Sequence, residues 1–208
     1  MTTSPRTRRD GTETRALARR TALRLFTEQG YEATSLRQIA DELGINKASL
    51  YYYFDSKEAI LQSLFDERGT EAEQLLTWLR EQPRAPELLE AAVLRWVDSC
   101  TAEKLQGIRF MTANPLVART LTGRPGGDRI VAGLTHFADE LAALLPDPSP
   151  QNVMLLRMAV LSINAAVSAA PPTGIGDDDI IAAARRAARA VLAEIRGGGP
   201  IEPPPRSP

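Results

Sequence analysis

The sequence predicts an all-α protein, and three observations carry that reading. Alanine and leucine dominate while aromatic residues make up only 5% of the 208 positions, a balance that suits helices because β-branched and aromatic side chains favour the pleated surface of strands. Apolar residues recur three and four positions apart, as in Ala18, Ala22, Leu25 and Phe26, which is the spacing of one helix face. Hydrophobic residues at 43% and charged residues at 25% match a packed globular chain rather than a disordered or membrane-embedded one. The longest apolar stretch, Val153 to Ala170, is interrupted by Arg157, Ser162, Asn164 and Ser168 and falls short of a run of roughly 20 apolar residues. One cysteine, Cys100, and one histidine, His136, exclude an intrachain disulfide and a zinc site. No metal and no cofactor is expected. Met1-Thr2-Thr3-Ser4-Pro5-Arg6 has no apolar run behind it, so no secretory signal is expected and the cytoplasm is the expected compartment.

Each helix has its own start and stop signals. The stripe Ala18, Ala22, Leu25 and Phe26, followed by Gly30, predicts a first helix over about 13–29. Ser35-Leu36-Arg37-Gln38 has the form of a capping box, in which the serine oxygen and the glutamine side chain each satisfy an orphan amide. A short helix then runs to Leu43 and stops at Gly44. Asn46 caps a third helix over about 47–53, and Asp55 with Glu58 opens a long fourth one to about Arg80. The fourth carries Ile60, Leu61, Leu64, Phe65, Ala72, Leu75, Leu76 and Leu79.

Pro83 and Pro86 then punctuate, and Pro86 suits the first turn of a helix presenting Leu89, Val93, Trp96, Val97 and Cys100. Shorter pieces continue to Asn114-Pro115, and Gly123-Arg124-Pro125-Gly126-Gly127 reads as a loop. An amphipathic helix from Ile130 to Leu145 is stopped by Pro146, Pro148 and Pro150. The last two helices, over about 151–170 and 177–196, are separated by Pro171-Pro172-Thr173-Gly174. Asp177, Asp178 and Asp179 open the final helix, where its dipole favours anions, and Arg196 closes it. Residues 197–208, rich in glycine and proline, are expected to form a disordered tail.

The near balance of 25 basic and 26 acidic residues hides an asymmetry. Residues 1–24 hold seven arginines against Asp10 and Glu13, net +5, whereas residues 55–208 hold 16 basic and 20 acidic residues, net −4. A basic, disordered arm over 1–12 suggests a polyanionic partner. The plain alternative is a solvated tail.

Leu36 to Tyr53 contains a short capped helix, the break Gly44-Ile45-Asn46 and a second short helix, the pattern of a helix-turn-helix. Ala40 is small where the helices cross, Gly44 suits a positive φ, and Ile39, Leu43, Ile45 and Leu50 supply a miniature core. Three of the four tyrosines follow, Tyr51, Tyr52 and Tyr53, beside Lys47, Ser49 and Lys57. Helical geometry is expected to turn Leu50, Tyr51 and Phe54 inward and Tyr52 and Tyr53 outward. Hydroxyl and ammonium groups there suit phosphate oxygens.

This segment resembles the tetracycline-repressor-like (TetR) transcriptional regulators. The resemblance rests on the run from Ala22 to Ala40, on Leu43-Gly44-Ile45, and on Leu50 to Glu58 with its ending Phe54-Asp55-Ser56-Lys57-Glu58; it covers roughly 15–65. It implies a three-helix DNA-binding head, 13–56, on a helical body of about six helices, 57–196, that dimerises and binds an effector. It also implies that Ser35 and Arg37 contact phosphate or groove, that Lys47, Ala48 and Ser49 read bases, and that Tyr52, Tyr53 and Lys57 clamp the backbone. The departure is Tyr53, where the family often carries histidine; a tyrosine still donates to phosphate.

Beyond the head, no nucleophile with a base, tuned acid pair or phosphate loop is visible, so the chain is not expected to be an enzyme. A helical small-molecule-binding protein without DNA regulation, or an enzyme of unrecognised type, are the alternatives. The reading adopted is a repressor that binds a palindromic double-stranded operator as a homodimer built from the last two helices. Val153 to Val167 is apolar around most of its circumference, more than one face of a monomer hides, and Ile181, Ala184, Ala188, Val191, Leu192 and Ile195 offer a matching stripe. The expected effector site is Trp78, Trp96, Phe110, Met111, Asn114, His136, Phe137, Met158 and Asn164, a mostly apolar set with a few polar groups. Its lack of lysine and arginine points to a neutral, apolar molecule.

Overall fold

The computed structural model describes residues 11–122, 129–171 and 174–197, and among them every regular element is a helix. The expected arm (1–12), glycine loop (123–127) and tail (197–208) lie mostly outside the described residues, although Gly11, Thr12 and Gly197 are helical. Three helices form the start of the chain: α1 (Gly11–Gln29), α2 (Leu36–Leu43) and α3 (Lys47–Tyr53). Then come α4 (Lys57–Glu81), α5 (Leu88–Asp98), α6 (Ala102–Ala113) and α7 (Pro115–Thr122). The last are α8 (Arg129–Ala142), α9 (Pro150–Val160), α10 (Ser162–Ala169) and α11 (Asp177–Gly197). The part after α3 therefore holds eight described helices, α4 to α11, rather than about six.

The chain divides into two compact units, one of Met1–Arg68 with Gln106–Arg129 and one of Gly69–Leu105 with Ile130–Pro208. This differs from the linear boundary expected at residue 56, and the reason lies in the cores. In the first unit Ala18, Leu23, Phe26, Ile39, Ala40, Leu50 and Ile60 pack together with Phe110 of α6 and Leu121 of α7. Residues distant in sequence thus complete the core of the head. In the second unit Ala72, Leu76, Val93, Trp96, Phe137, Leu156, Ala188 and Leu192 form the centre. Salt bridges Asp98–Arg185 and Glu90–Arg196 join α5 to α11 at its surface.

The apolar stripe of α4 is shared between the two cores. Ile60 and Leu61 belong to the first, and Ala72, Leu75, Leu76 and Leu79 to the second.

One helix expectation is corrected: residues 151–170 are two helices, α9 and α10, bent by 56°. Leu161 sits at φ −85° and ψ 4°, away from the helical ψ of about −42°, and the chain turns there although the Leu161 N–H still donates to the Arg157 carbonyl at 3.0 Å. The apolar pattern runs through the break, so periodicity alone does not reveal it. Each half packs against α11. No single described helix is long and apolar enough to cross a membrane.

Phe110 is buried in the first unit's core, its ring 5.7 Å from Phe26 and 6.0 Å from Tyr31. Phe110→Ala is therefore expected to cost about 3–5 kcal/mol in the unfolding of that unit, measured by urea denaturation; a loss below about 1 kcal/mol would show that the site collapses without cost.

Candidate nucleic-acid interface

The interface is built from two short helices and the turn between them. Ser35 caps α2: its Oγ accepts from the Gln38 N–H at 3.2 Å, and its own N–H donates to Gln38 Oε1 at 2.8 Å. The serine hydroxyl also donates to Gln38 Oε1, at 2.8 Å, so both halves of the expected capping box are formed. Gly44 ends α2 at φ 65° and ψ 29°, a left-handed conformation that a side chain strains. The Ile45 N–H then reaches back to the Ala40 carbonyl at 3.1 Å. Asn46 accepts from the Ser49 N–H at 2.7 Å and starts α3. With Ile39, Ala40 and Leu50 fully buried between them, the two helices are held in one relative orientation.

Leu50 is the single buried residue of α3, and this decides what the helix shows outward. At 100° per residue, Tyr51 lies about 100° from Leu50 and Tyr53 about 60° away on the other side. Two tyrosine expectations are corrected on this ground. Tyr51, expected to face inward, is 41% exposed, and Tyr53, expected to face outward, is half-buried against the head core. Phe54 is buried because it follows the helix in extended conformation, at φ −147° and ψ 119°. Tyr52 is 84% exposed, its ring meeting Tyr53 edge-on at 5.2 Å.

Four exposed residues thus share a continuous face of α3: Lys47, Ala48, Tyr51 and Tyr52, spaced as two i, i+4 pairs. The Lys47 ammonium lies 5.1 Å over the Tyr51 ring, which steadies both side chains. Tyr51 is the residue that sequence reasoning left out. The signal that finds it is the isolation of Leu50 as the only inward anchor of so short a helix.

The remaining expected contacts separate into accessible and occupied groups. Arg37 is exposed on α2, with Asp41 no nearer than 3.8 Å. Ser49 is half-buried beneath its cap. Lys57 points into the head: its ammonium donates to the Tyr31 carbonyl at 2.6 Å and lies 4.4 Å over the Tyr31 ring. Its first task is to hold the turn between α1 and α2.

The arginines of α1 are also largely engaged. Arg15 stacks on Phe54 at 5.3 Å and Arg19 pairs with Glu67 at 2.8 Å. Arg24 joins Glu28 of its own helix to Glu42 of α2. The charge of Glu28, followed by Glu42, holds the Arg24 pKa above its ordinary value. Among the described residues, Arg20 is an exposed α1 arginine with neither an ion pair nor a ring contact.

The nine residues expected at an effector site do not form one cavity lining within either unit. Phe110, Met111 and Asn114 correct the expectation most plainly. Phe110 lies in the head core with Met111 packed against it, and the Asn114 amide donates to the Phe110 carbonyl at 2.8 Å. Helical spacing identified an apolar face on α6 without revealing which core receives it. His136, Met158 and Asn164 are exposed. Trp96 and Phe137 are buried together in the second unit, centroids 6.2 Å apart, and half-buried Trp78 lies beneath the Arg95 guanidinium at 4.8 Å. A cavity of about 260 Å³ opens beside Trp96, lined also by Glu71, Gln74, Leu75, Arg95 and Ser99.

A capped helix-turn-helix that displays a lysine and two tyrosines on its second helix defines the class of DNA-binding regulatory proteins. Residues 18–64 match the family model for bacterial regulatory proteins of the tetR family. Among similar proteins, the biofilm operon icaADBC HTH-type negative transcriptional regulator IcaR of Staphylococcus aureus is 54% identical over 41 residues, 20% of this chain and 22% of that protein. The HTH-type transcriptional regulator YuxN of Bacillus subtilis is 50% identical over 46 residues, 22% of this chain and 16% of that protein. The chain thus aligns with less than a quarter of the length of these curated relatives. At the level of fold, the ketosteroid transcriptional regulator KstR2 of Mycobacterium tuberculosis superposes with a TM-score of 0.61 at 19% identity, covering 93% of this chain and 98% of that one.

Because Tyr52 contacts little besides the edge of Tyr53, Tyr52→Ala is expected to change stability by less than about 0.5 kcal/mol while weakening the protein's hold on duplex DNA. Thermal melting and fluorescence anisotropy on one preparation separate the two effects. Unchanged DNA affinity would remove Tyr52 from the interface.

Proposed function

We propose that this protein is a transcriptional repressor that works in the cytoplasm, binding a palindromic DNA operator as a homodimer and releasing it when a small molecule binds the body. The observation that carries the reading is the exposed face Lys47, Ala48, Tyr51 and Tyr52 on a rigidly capped α3. A helix of seven residues reads only a few base pairs in one major groove, so a second copy supplies the other half-site. Phosphate contacts from Arg37, Tyr52 and the backbone around Ser35 position the head, and Lys47, Ala48 and Ser49 contact base edges. Tyr53 supports Tyr52 from behind. Lys57 acts through the Tyr31 turn, with its remaining N–H protons available to phosphate.

The homodimer is proposed to form through α9, α10 and α11. Met154 and Met158 are large apolar side chains 63% and 54% exposed, and Leu161 at the bend is exposed as well. The outer face of α11 is lined by exposed Ala183, Ala187 and Ala190, small residues that let a partner helix approach closely. Together they favour a two-fold four-helix arrangement.

The effector is proposed to bind in the second unit beside Trp78 and Trp96. Glu71, Gln74, Arg95 and Ser99 give that cavity a polar rim, so a molecule with an apolar face and a hydrogen-bonding edge suits it better than a wholly apolar one. α4 is the proposed lever: it begins at Lys57, which holds the head's Tyr31 turn, and carries Trp78 about 30 Å further along at 1.5 Å per residue. A coupling of ~1–3 kcal/mol would lower operator affinity about 5–150-fold.

A mobility-shift assay on the DNA upstream of the protein's own coding region tests the reading. Retardation is expected there, and binding to no DNA at low salt would sink it. Lys47→Ala is expected to relax sequence preference and to reduce the slope of log affinity against log salt by at most about 0.9. Met158→Glu is expected to give monomers in sedimentation and to lose operator binding while keeping its helical content. A compound that stabilises the protein but leaves operator affinity unchanged would rule out the lever, because equal affinity for both states shifts nothing.

A further inference from the structure

The second unit carries another cavity, of about 440 Å³, which shares no residue with the one beside Trp96. It lies where the segment preceding α5, the end of α8 and the end of α11 meet. We propose that it is a binding site for a small amphipathic monocarboxylate, an acid with an apolar tail of medium length, whose carboxylate is held by Arg84.

The floor is apolar and fixed. Leu89, Leu145 and Ile195 line it, and all three are nearly buried members of the unit's core, so their positions are set by packing before any ligand arrives. Pro86 and Pro146 form part of the wall, and their locked φ angles stiffen the two connecting segments that carry them. The volume falls within the ~300–1,000 Å³ typical of small-molecule sites.

The charge is on the rim. Arg84 and Arg196 both line the cavity, but they differ in what they already hold. Arg196 donates to Glu90 at 2.7 Å, and the other Glu90 oxygen lies 3.3 Å from Arg189. Two guanidinium groups therefore cover the Glu90 carboxylate, and its charge does not oppose an incoming anion. Arg84 is exposed and has no hydrogen-bond or ion-pair partner among the described residues. Its planar fork of N–H donors matches the two oxygens of a carboxylate. A neutral apolar ligand would use the floor and leave this group unused, whereas an inorganic anion would use Arg84 and leave the floor wet. An amphipathic carboxylate uses both.

The test is calorimetric titration of the full-length protein with octanoate, using octanamide and acetate as controls. One equivalent per chain is expected, with octanamide and acetate each at least about tenfold weaker, the size of effect a charge-assisted hydrogen bond provides. Arg84→Glu reverses the charge at an exposed position, and Ala143→Phe fills the cavity from another exposed position; both are expected to abolish octanoate binding and to leave operator binding unchanged. Gln74→Trp, which narrows the cavity beside Trp96, is expected to leave octanoate binding intact. The proposal is overturned if octanoate does not bind, if octanamide or acetate binds equally well, if Arg84→Glu and Ala143→Phe bind as the parent does, or if Gln74→Trp is the variant that loses binding. None of these results depends on whether the protein represses transcription.

Discussion

Tyr31 is held from four sides, and the geometry of α2 and α3 depends on that grip. Its hydroxyl donates to Glu58 at 2.8 Å and its carbonyl accepts from Lys57 at 2.6 Å, both at the start of α4. Its ring meets Phe26 of α1 edge-on at 5.0 Å and Phe110 of α6 at 6.0 Å. A hydrogen bond to a charged group is worth about 1.5–3 kcal/mol and an aromatic pair about 0.5–1.5 kcal/mol. The contacts are coupled and do not simply add, but no other residue between α1 and α2 is tied to so many elements. With the turn fixed there, α2 leaves in one direction, and the Ser35 cap and the Gly44 stop define both ends of its short span.

The same grip explains why α6 and α7 belong to the unit that carries α2 and α3. Three helices of 19, 8 and 7 residues bury little surface, and small domains are correspondingly marginal. Phe110 and Leu121 enlarge the core with residues from the middle of the chain. Phe110 of α6 thereby touches Tyr31, the residue that ties the turn before α2 to the start of α4.

Cations divide between holding the fold and remaining open to partners. Arg15, Arg19, Arg24 and Lys57 are engaged by Phe54, Glu67, Glu28 with Glu42, and Tyr31. Arg20, Arg37 and Lys47 remain accessible on the first unit, and Arg84 on the second. Net charge along the sequence therefore overstates the positive surface of α1. What distinguishes an interface is the charge left after internal pairing.

Much of the head was legible in the sequence because its signals are local. A capping box needs only Ser35 and Gln38, a left-handed stop only Gly44, and an N-cap only Asn46; each acts within four residues, so the boundaries of α2 and α3 followed from the order of residues alone. The direction in which a side chain points is also local, but only if the helix anchor is identified correctly. Tyr51 and Tyr53 face other than the helical wheel predicts because Phe54 lies beyond the helix in extended conformation and does not share a helical face with Leu50. Other features depended on contacts between distant segments. Nothing in the spacing of Phe110, Met111 and Asn114 states which core receives them. The apolar pattern from 151 to 170 carries no stop signal at residue 161 and is equally compatible with one helix or with the bent pair α9 and α10. The cavity bounded by Arg84, Leu145 and Arg196 joins three segments that are far apart in sequence. Hydrogen bonds between neighbours along the chain fix where helices begin and end, whereas the choice of packing partner is settled only when the whole chain competes for the same buried space.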